Sequence, residues 1–358
     1  MKTKLSVIII SSLLAASSIA FAHKKMSEEQ YIVGLKSDSF LLAYNSEKSF
    51  KGVIVPKSIA TNSKAKLQYI KLPKDLAKGA DLDQLINIGN GKLLALMTKE
   101  KSNSNFAYIY SIDGFSSKSK PLATLKLPNG YNPTITYSSE NWQTKGEQFF
   151  TFAVTSKDSA SPITAYLLGI DVNYNKSSKF STLAKEALPT SITATNLSIA
   201  TFLNEEKNPT SGHGYRYPAD LVFQKSGLDT IDGYLLQPSY QNGVGYSLIP
   251  SELYTLGSGS NPVAADFSGS TSINMAAVGT KNKLIDNNVD HRLNANSTLN
   301  YAMGDYPSIA SVYGSNSPSP YLFETHRGTD GSVWLNIINY NASTNKLTPN
   351  KSIQIAKN

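Results

Sequence analysis

Short apolar runs alternate along this chain with clusters of Gly, Pro, Asn, Asp and Ser, and a break falls roughly every 8 to 12 residues. The unit is plainest near the C-terminus. Tyr321 to Arg327 is an aromatic and apolar run, followed by the polar turn Gly328-Thr329-Asp330-Gly331. Val333 to Tyr340 comes next, then a polar break at Asn341 to Asn345 and a last run ending in Ile353-Gln354-Ile355. Strand, turn, strand, loop, strand is the order this predicts.

The same order recurs upstream. Anchoring on the strand that follows a turn gives Phe40, Leu93, Phe149, Leu221, Ile273 and Tyr321, spaced by 53, 56, 72, 52 and 48 residues. Six repeats follow, over 30–73, 84–128, 134–188, 191–253, 262–304 and 308–357, with an insertion in the fourth. Asn90-Gly91 between two apolar runs is a strong hairpin signal, because both turn residues must take positive φ. The closing strands of the first two repeats share letters, Leu67 to Pro73 against Leu122 to Pro128. Leu299 to Met303 closes the fifth repeat and Ile309 to Tyr313 opens the sixth. Only Pro73 to Leu85 and Ser181 to Leu188 have helical composition.

Four short antiparallel strands per repeat are too thin to bury both faces alone, so repeats must stack on one another. The predicted fold is all-β: a β-propeller of about six four-stranded blades. The 72-residue interval leaves room for a seventh. Two stacked β-sandwiches are the alternative and would need a linker near the middle. There the sequence has only the polar insertion Asn204 to Tyr217, inside a repeat.

One stretch resembles a known repeat. Val263-Ala-Ala-Asp266-Phe267-Ser-Gly269, followed by Ile273 to Gly279, is similar to the FG-GAP repeat of integrin-α-like propellers. The likeness implies a propeller blade, and in that family often a calcium ion held by acidic turn residues. Here Ser268, Ser270, Thr271 and Ser272 leave Asp266 as the one carboxylate beside Asn274. Calcium takes six to eight oxygens, usually with several carboxylates. A hydrogen-bonded turn is therefore expected, with no metal and no other cofactor.

The first residues change the picture. Lys2 and Lys4, the apolar Leu5 to Leu14 and the small-x-small Ala20-Phe21-Ala22 read as a signal peptide over 1–22, with His23 opening the mature chain. No later window reaches the roughly 18 to 20 apolar residues of a membrane span. An exported protein, periplasmic or extracellular and of a Gram-negative type, is expected, most simply as a monomer. The chain has no Cys, which removes thiol catalysis, thiolate metal sites and disulfides; a body of this length can be stable through packing alone.

Net charge is +8, and Lys2 and Lys4 contribute two of it. The basic residues are scattered, and Arg216, Arg292 and Arg327 lie far apart, so no nucleic-acid surface is indicated. His-Glu-x-x-His, Walker, Gly-x-Ser-x-Gly and dinucleotide motifs are all missing.

What remains is loop placement. Connections between first and second strands emerge at one end of a propeller, and two adjacent ones are enlarged. Ser138 to Gly146 carries Glu140 and Trp142; Asn204 to Tyr217 carries His213, Tyr215 and Arg216. Exposed Trp, Tyr and Arg are the side chains enriched at binding hot spots. His326 and Arg327, at the end of a second strand, face the end that carries the connections between blades and complete the candidate binding set. The reading that follows is a binding or scaffolding propeller recognising a protein or glycan through end loops, with no catalytic residue assigned. The alternative is a polysaccharide hydrolase or lyase with an axial site drawing on Asp266, Asp305 or Glu324.

Overall fold

A computed structural model describes residues 30–357, except 37, 47–48, 79–81, 100–101, 141–146, 158–160, 172, 190–191, 202–218, 226–229, 242, 266–271, 279–282, 291–294, 311–319, 342 and 345. Apart from two short helical turns, the regular structure of the described chain is antiparallel strand. Blade 1 holds β1 (Gln30–Lys36), β2 (Ser39–Ser46), β3 (Ser49–Pro56) and β4 (Gln68–Ile70). Blade 2 holds β5 (Leu82–Asn87), β6 (Lys92–Lys99), β7 (Ser104–Ser111) and β8 (Ala123–Lys126). Blade 3 holds β9 (Tyr131–Glu140), β10 (Glu147–Thr155), β11 (Ile163–Asp171) and β12 (Ser181–Ala187). Blade 4 holds β13 (Ala194–Thr201), β14 (Ala219–Lys225), β15 (Thr230–Gln241) and β16 (Gly245–Pro250), and β17 (Tyr254–Ser258) also pairs with β15. The last sheet has seven strands: β18 (Ser260–Ala265), β19 (Ser272–Val278), β20 (Lys283–Asp290), β21 (Ala295–Ala310), β22 (Tyr321–Gly328), β23 (Val333–Asn341) and β24 (Lys346–Ala356).

That last sheet is two blades run together. The first part of β21 pairs with β20 and its second part with β22, so one strand closes blade 5 and opens blade 6. Two strands separated by a break were expected here. The strand continues through Gly304, where the two halves press close: a Cβ there would come 2.4 Å from the Arg327 carbonyl oxygen and 2.5 Å from His326 Cδ2.

Ser181–Ala187, despite its helical composition, is the fourth strand that the third repeat calls for; it is the outer edge of blade 3, with a mostly solvated face. One further expectation changes. The helix expected over 73–85 shrinks to α1 (Lys74–Lys78) before β5 begins at Leu82.

Among the described residues, six apolar clusters hold the ring, each shared by two successive blades. Leu96 and Phe152 belong to the cluster between blades 2 and 3, and Leu221 and Ala165 to that between 3 and 4. The ring is closed by the cluster between blades 6 and 1, where the fully buried rings of Phe40 and Phe323 stack with centroids 4.1 Å apart. First strands of adjacent blades contact one another all the way round, β1 to β5 to β9 to β13 to β18 to β21 and back to β1. They surround the axis.

Near its start, each of β9, β13 and β18, and the blade-6 part of β21, bends where its register shifts against the second strand. The bend residue has positive φ: Asn132, Asn196, Asn261 and Tyr306. Asn tolerates that region better than other residues, and Pro133, Pro262 and Pro307 follow three of the four, giving no N–H to the ladder. Two residues after each bend a side chain turns towards the next blade.

Candidate functional site at the loop end of the ring

Strand direction divides the ring into two ends. Connections from first to second strands, and from third to fourth, emerge at the loop end. Second-to-third turns and the passages between blades lie at the crossover end. The two enlarged segments, 141–146 and 202–218, attach at the loop end of blades 3 and 4. Trp142, His213, Tyr215 and Arg216 fall within them and lie outside the described residues. Glu140 is the last residue of β9, its backbone opposite Gln148.

The attachment points are fastened together. Thr136 on β9 and Thr201, the last residue of β13, are both buried, and their hydroxyl oxygens are 2.9 Å apart. Within blade 3, Ser138 and Thr151 share a 2.7 Å hydroxyl hydrogen bond. Gln148 donates to the Ile88 carbonyl of blade 2 at 3.3 Å and accepts from the Tyr174 hydroxyl. Burial pushes the Tyr174 phenol far above its ordinary range, with Tyr137 adding to the shift, so it stays a neutral donor. The strands leading into both segments are thus rigidly set.

Beside them is an aromatic group that sequence reading passed over. Phe149, near the start of β10, meets Tyr246 of β16 edge-on, with centroids 5.3 Å apart and planes at 77°. Tyr246 pairs across the hairpin with Tyr240, at 4.8 Å and 54°. Phe149 is buried and both tyrosines are half-buried, while Val244 in the intervening turn is 75% exposed. The group spans the loop end of blades 3 and 4. Its signal was present as Tyr240 and Tyr246 either side of Asn242-Gly243, a hairpin turn that puts two aromatics opposite each other.

His326 and Arg327 lie at the other end. His326 is buried, with Nδ1 3.1 Å from Glu324 Oε2, and Asn336 donates to the same carboxylate oxygen at 2.8 Å. Arg327 is half-buried and donates to the carbonyls of Gly331 at 2.9 Å and Asn45 at 3.0 Å. The fold therefore separates this pair from the loop-end segments by the depth of the ring. At the crossover end also runs a chain of amides: Asn196 donates to Asn261 at 2.7 Å, and Asn261 to Asp305 at 2.8 Å.

Along the axis is a cavity of about 170 Å³ bounded by the first strands of all six blades. Asp83 is the one carboxylate among its described lining residues, and one of its oxygens accepts from the Thr98 hydroxyl at 2.6 Å. Among the described residues, no three His, Asp or Glu side chains gather as a metal-binding group, and no helix is long and apolar enough to cross a membrane.

No protein-family model matches the sequence, so none supports the FG-GAP likeness, whose turn residues 266–271 lie outside the described residues. No curated protein matches it either. Solved structures do. An arginine-to-alanine mutant of AofleA from Arthrobotrys oligospora superposes with a TM-score of 0.53 at 9% identity, over 92% of this chain and 89% of that one. The lectin of Aleuria aurantia, described as a six-bladed β-propeller with a novel fucose recognition mode, gives 0.52 at 8% identity, over 93% and 97%. The α-L-arabinofuranosidase Arb93A from Fusarium graminearum, in complex with an iminosugar inhibitor, gives 0.50 at 10% identity, over 88% and 94%. At such identities the likeness shows the fold alone: this chain is an all-β propeller of four-stranded blades, two of which share a strand.

Proposed function

We propose that this protein is an exported glycan-binding propeller that recognises its ligand at the loop end of blades 3 and 4. The observation that carries the reading is the Phe149–Tyr246–Tyr240 group beside the attachment points of the two enlarged segments. A sugar ring presents an apolar face of C–H bonds and a rim of hydroxyls. Half-buried tyrosines, with an apolar body and a polar tip, match both and lose little side-chain freedom on binding. Trp142 and Tyr215 add aromatic surface; Glu140, His213 and Arg216 add polar partners for hydroxyls. The fastened stems favour binding because little ordering cost is left to the ligand. Two of the similar folds belong to proteins whose names record carbohydrate recognition or cleavage, which is compatible with this reading and no more specific than that.

Recognition without cleavage is the form we favour. Glycoside hydrolysis generally uses two carboxyl groups roughly 5 to 10 Å apart across the scissile bond. Asp83 is the one carboxylate among the described residues that line the axial cavity, and Glu324 is buried with His326 at the far end.

The test is a glycan array probed with the mature chain, alongside Tyr246→Ala, Tyr240→Ala and Trp142→Ala. Expected is a restricted set of bound glycans, weakened at least tenfold by each substitution with the fold intact by circular dichroism. An array without signal, coupled with capture of a protein partner lost in the same variants, would replace the glycan by a protein ligand. Hydrolysis of a bound glycan would revive the enzyme reading.

A further inference from the structure

The axial cavity is distinct from the loop-end group, and its walls have a chemistry of their own. Around the axis, one position on each first strand turns a side chain towards the next blade. In four of the six blades that side chain accepts a backbone N–H. Ser308 accepts from Ile32 at 3.1 Å, Gln84 from Ile135 at 3.0 Å, Thr134 from Ile199 at 3.1 Å and Ser198 from Ala264 at 3.0 Å. Thr134 spends its own hydrogen on Gln84 Oε1, at 3.3 Å.

The accounting leaves a surplus of donors. Among the described residues, Ser198 and Ser308 each use only an oxygen lone pair, which leaves both hydroxyl hydrogens to donate. Among the described residues Gln84 uses only Oε1, which leaves the two hydrogens of Nε2. All three residues line the cavity. Gln30, also in the lining and 2% exposed, donates to the Tyr306 carbonyl.

Neutral donors on the wall call for a ligand rich in hydrogen-bond acceptors. An anion would find no positive charge among the described lining residues and would meet Asp83. A metal cation would find the serine and glutamine oxygens already accepting N–H groups. A hydroxylated neutral molecule, whose oxygens accept from such donors without carrying charge, meets these conditions. Size agrees: a cavity of about 150 Å³ is known to hold a six-membered ring, and this one measures about 170 Å³.

We infer that the axial cavity is a binding site for a small neutral polyhydroxy molecule of monosaccharide size, independent of the loop-end glycan site. Gln84 and Ser308 donate to ligand oxygens, and Ile86 offers apolar wall to its C–H face.

The experiment titrates the mature chain with D-glucose, D-galactose and L-fucose, followed by calorimetry and saturation-transfer NMR, with glucose 6-phosphate and glucosamine as charged controls. Gln84→Glu keeps the oxygen that accepts from Ile135 but removes the amide hydrogens. Ile86→Phe fills the space and leaves every hydrogen bond in place, so it still reports if the first variant folds poorly. Expected is saturable one-site binding of at least one neutral sugar, weakened tenfold or more in both variants and unchanged in Tyr246→Ala. Three results would overturn the inference: water only, with no neutral sugar binding; tighter binding of either charged control; or loss in Tyr246→Ala, which would put the sugar at the loop end. Loss of array signal in Tyr246→Ala with cavity binding retained would bear on the loop-end site alone.

Discussion

The backbone N–H of Ile199 donates to the hydroxyl of Thr134, 3.1 Å away and one blade earlier. Each lies two or three residues past a positive-φ bend in its own strand, and the same pairing links Ser198 to Ala264 and Ser308 to Ile32. An inner strand of a propeller has an edge with no strand beside it, and its N–H groups need partners. A short polar side chain from the preceding blade meets that need and sets the angle between blades. Val263 occupies the matching position in blade 5 and has no acceptor to offer. That is the junction where β21 runs unbroken into blade 6, so the shared strand does the joining.

Thr134→Val should therefore destabilise the protein by about 1–3 kcal/mol, the cost of leaving a buried N–H unpaired, whereas Thr134→Ser should cost much less. Urea melts of the two variants compare them directly. Equal losses would mean that the methyl group, not the hydrogen bond, matters at this position.

Much of the architecture was readable. Second strands are buried on both faces and read as unbroken apolar runs, such as Leu93 to Met97, so they fixed the repeat length. First strands were harder, because their polar positions serve the next blade and break the alternation. Yet their motif is in the letters: Asn132-Pro-Thr-Ile135, Asn196-Leu-Ser-Ile199, Asn261-Pro-Val-Ala264 and Tyr306-Pro-Ser-Ile309. Prolines there look like turns, and only the bulge explains them as strand. The loop-end aromatic group was missed for a different reason: Phe149 and Tyr246 are 97 positions apart in sequence, and only the ring makes them neighbours.

Ring closure rests on the contact between the first and last blades. Phe323→Ala removes a fully buried ring stacked on Phe40 and should cost about 3–5 kcal/mol. Hydrogen exchange should then accelerate first in β1 and β22, at the seam, before it does in blade 3. Uniform acceleration across all blades would argue against the seam as the weak point.

Alkaline conditions should attack blade 4. Tyr254 lies over Gly233, where a Cβ would come 2.5 Å from the phenol ring, and donates to Asp220 at 2.8 Å. Burial, then the Asp220 charge and this hydrogen bond, raise the phenol well above its usual value near 10. The folded state thus keeps a proton that the unfolded chain loses. Stability from this group is complete below about pH 10 and declines as pH rises further. Tyr254→Phe should flatten that decline in alkaline melts. Gly233→Ala should cost about 1–3 kcal/mol at every pH by displacing the ring. An unchanged alkaline slope in Tyr254→Phe would assign the effect to other buried phenols such as Tyr110 or Tyr174.

At the acid end the turn of the last blade gives the opposite dependence. Asp330 Oδ1 accepts the Ser332 N–H at 2.9 Å and Oδ2 accepts the Ser332 hydroxyl at 2.9 Å. These bonds, the backbone one foremost, hold the carboxyl below its ordinary value near 3.8. In the folded state the proton binds more weakly than in the unfolded chain, so stability rises with pH across the interval between the two values. The contribution is present above about pH 4 and is lost as pH falls through the folded value. Because the side chain is exposed, the effect should be small and should shrink with salt. Asp330→Asn retains an oxygen to accept the Ser332 N–H and abolishes the titration. Melts of wild type and variant should therefore converge as pH drops from 5 to 2. Parallel curves over that range would show that the turn does not sense this proton.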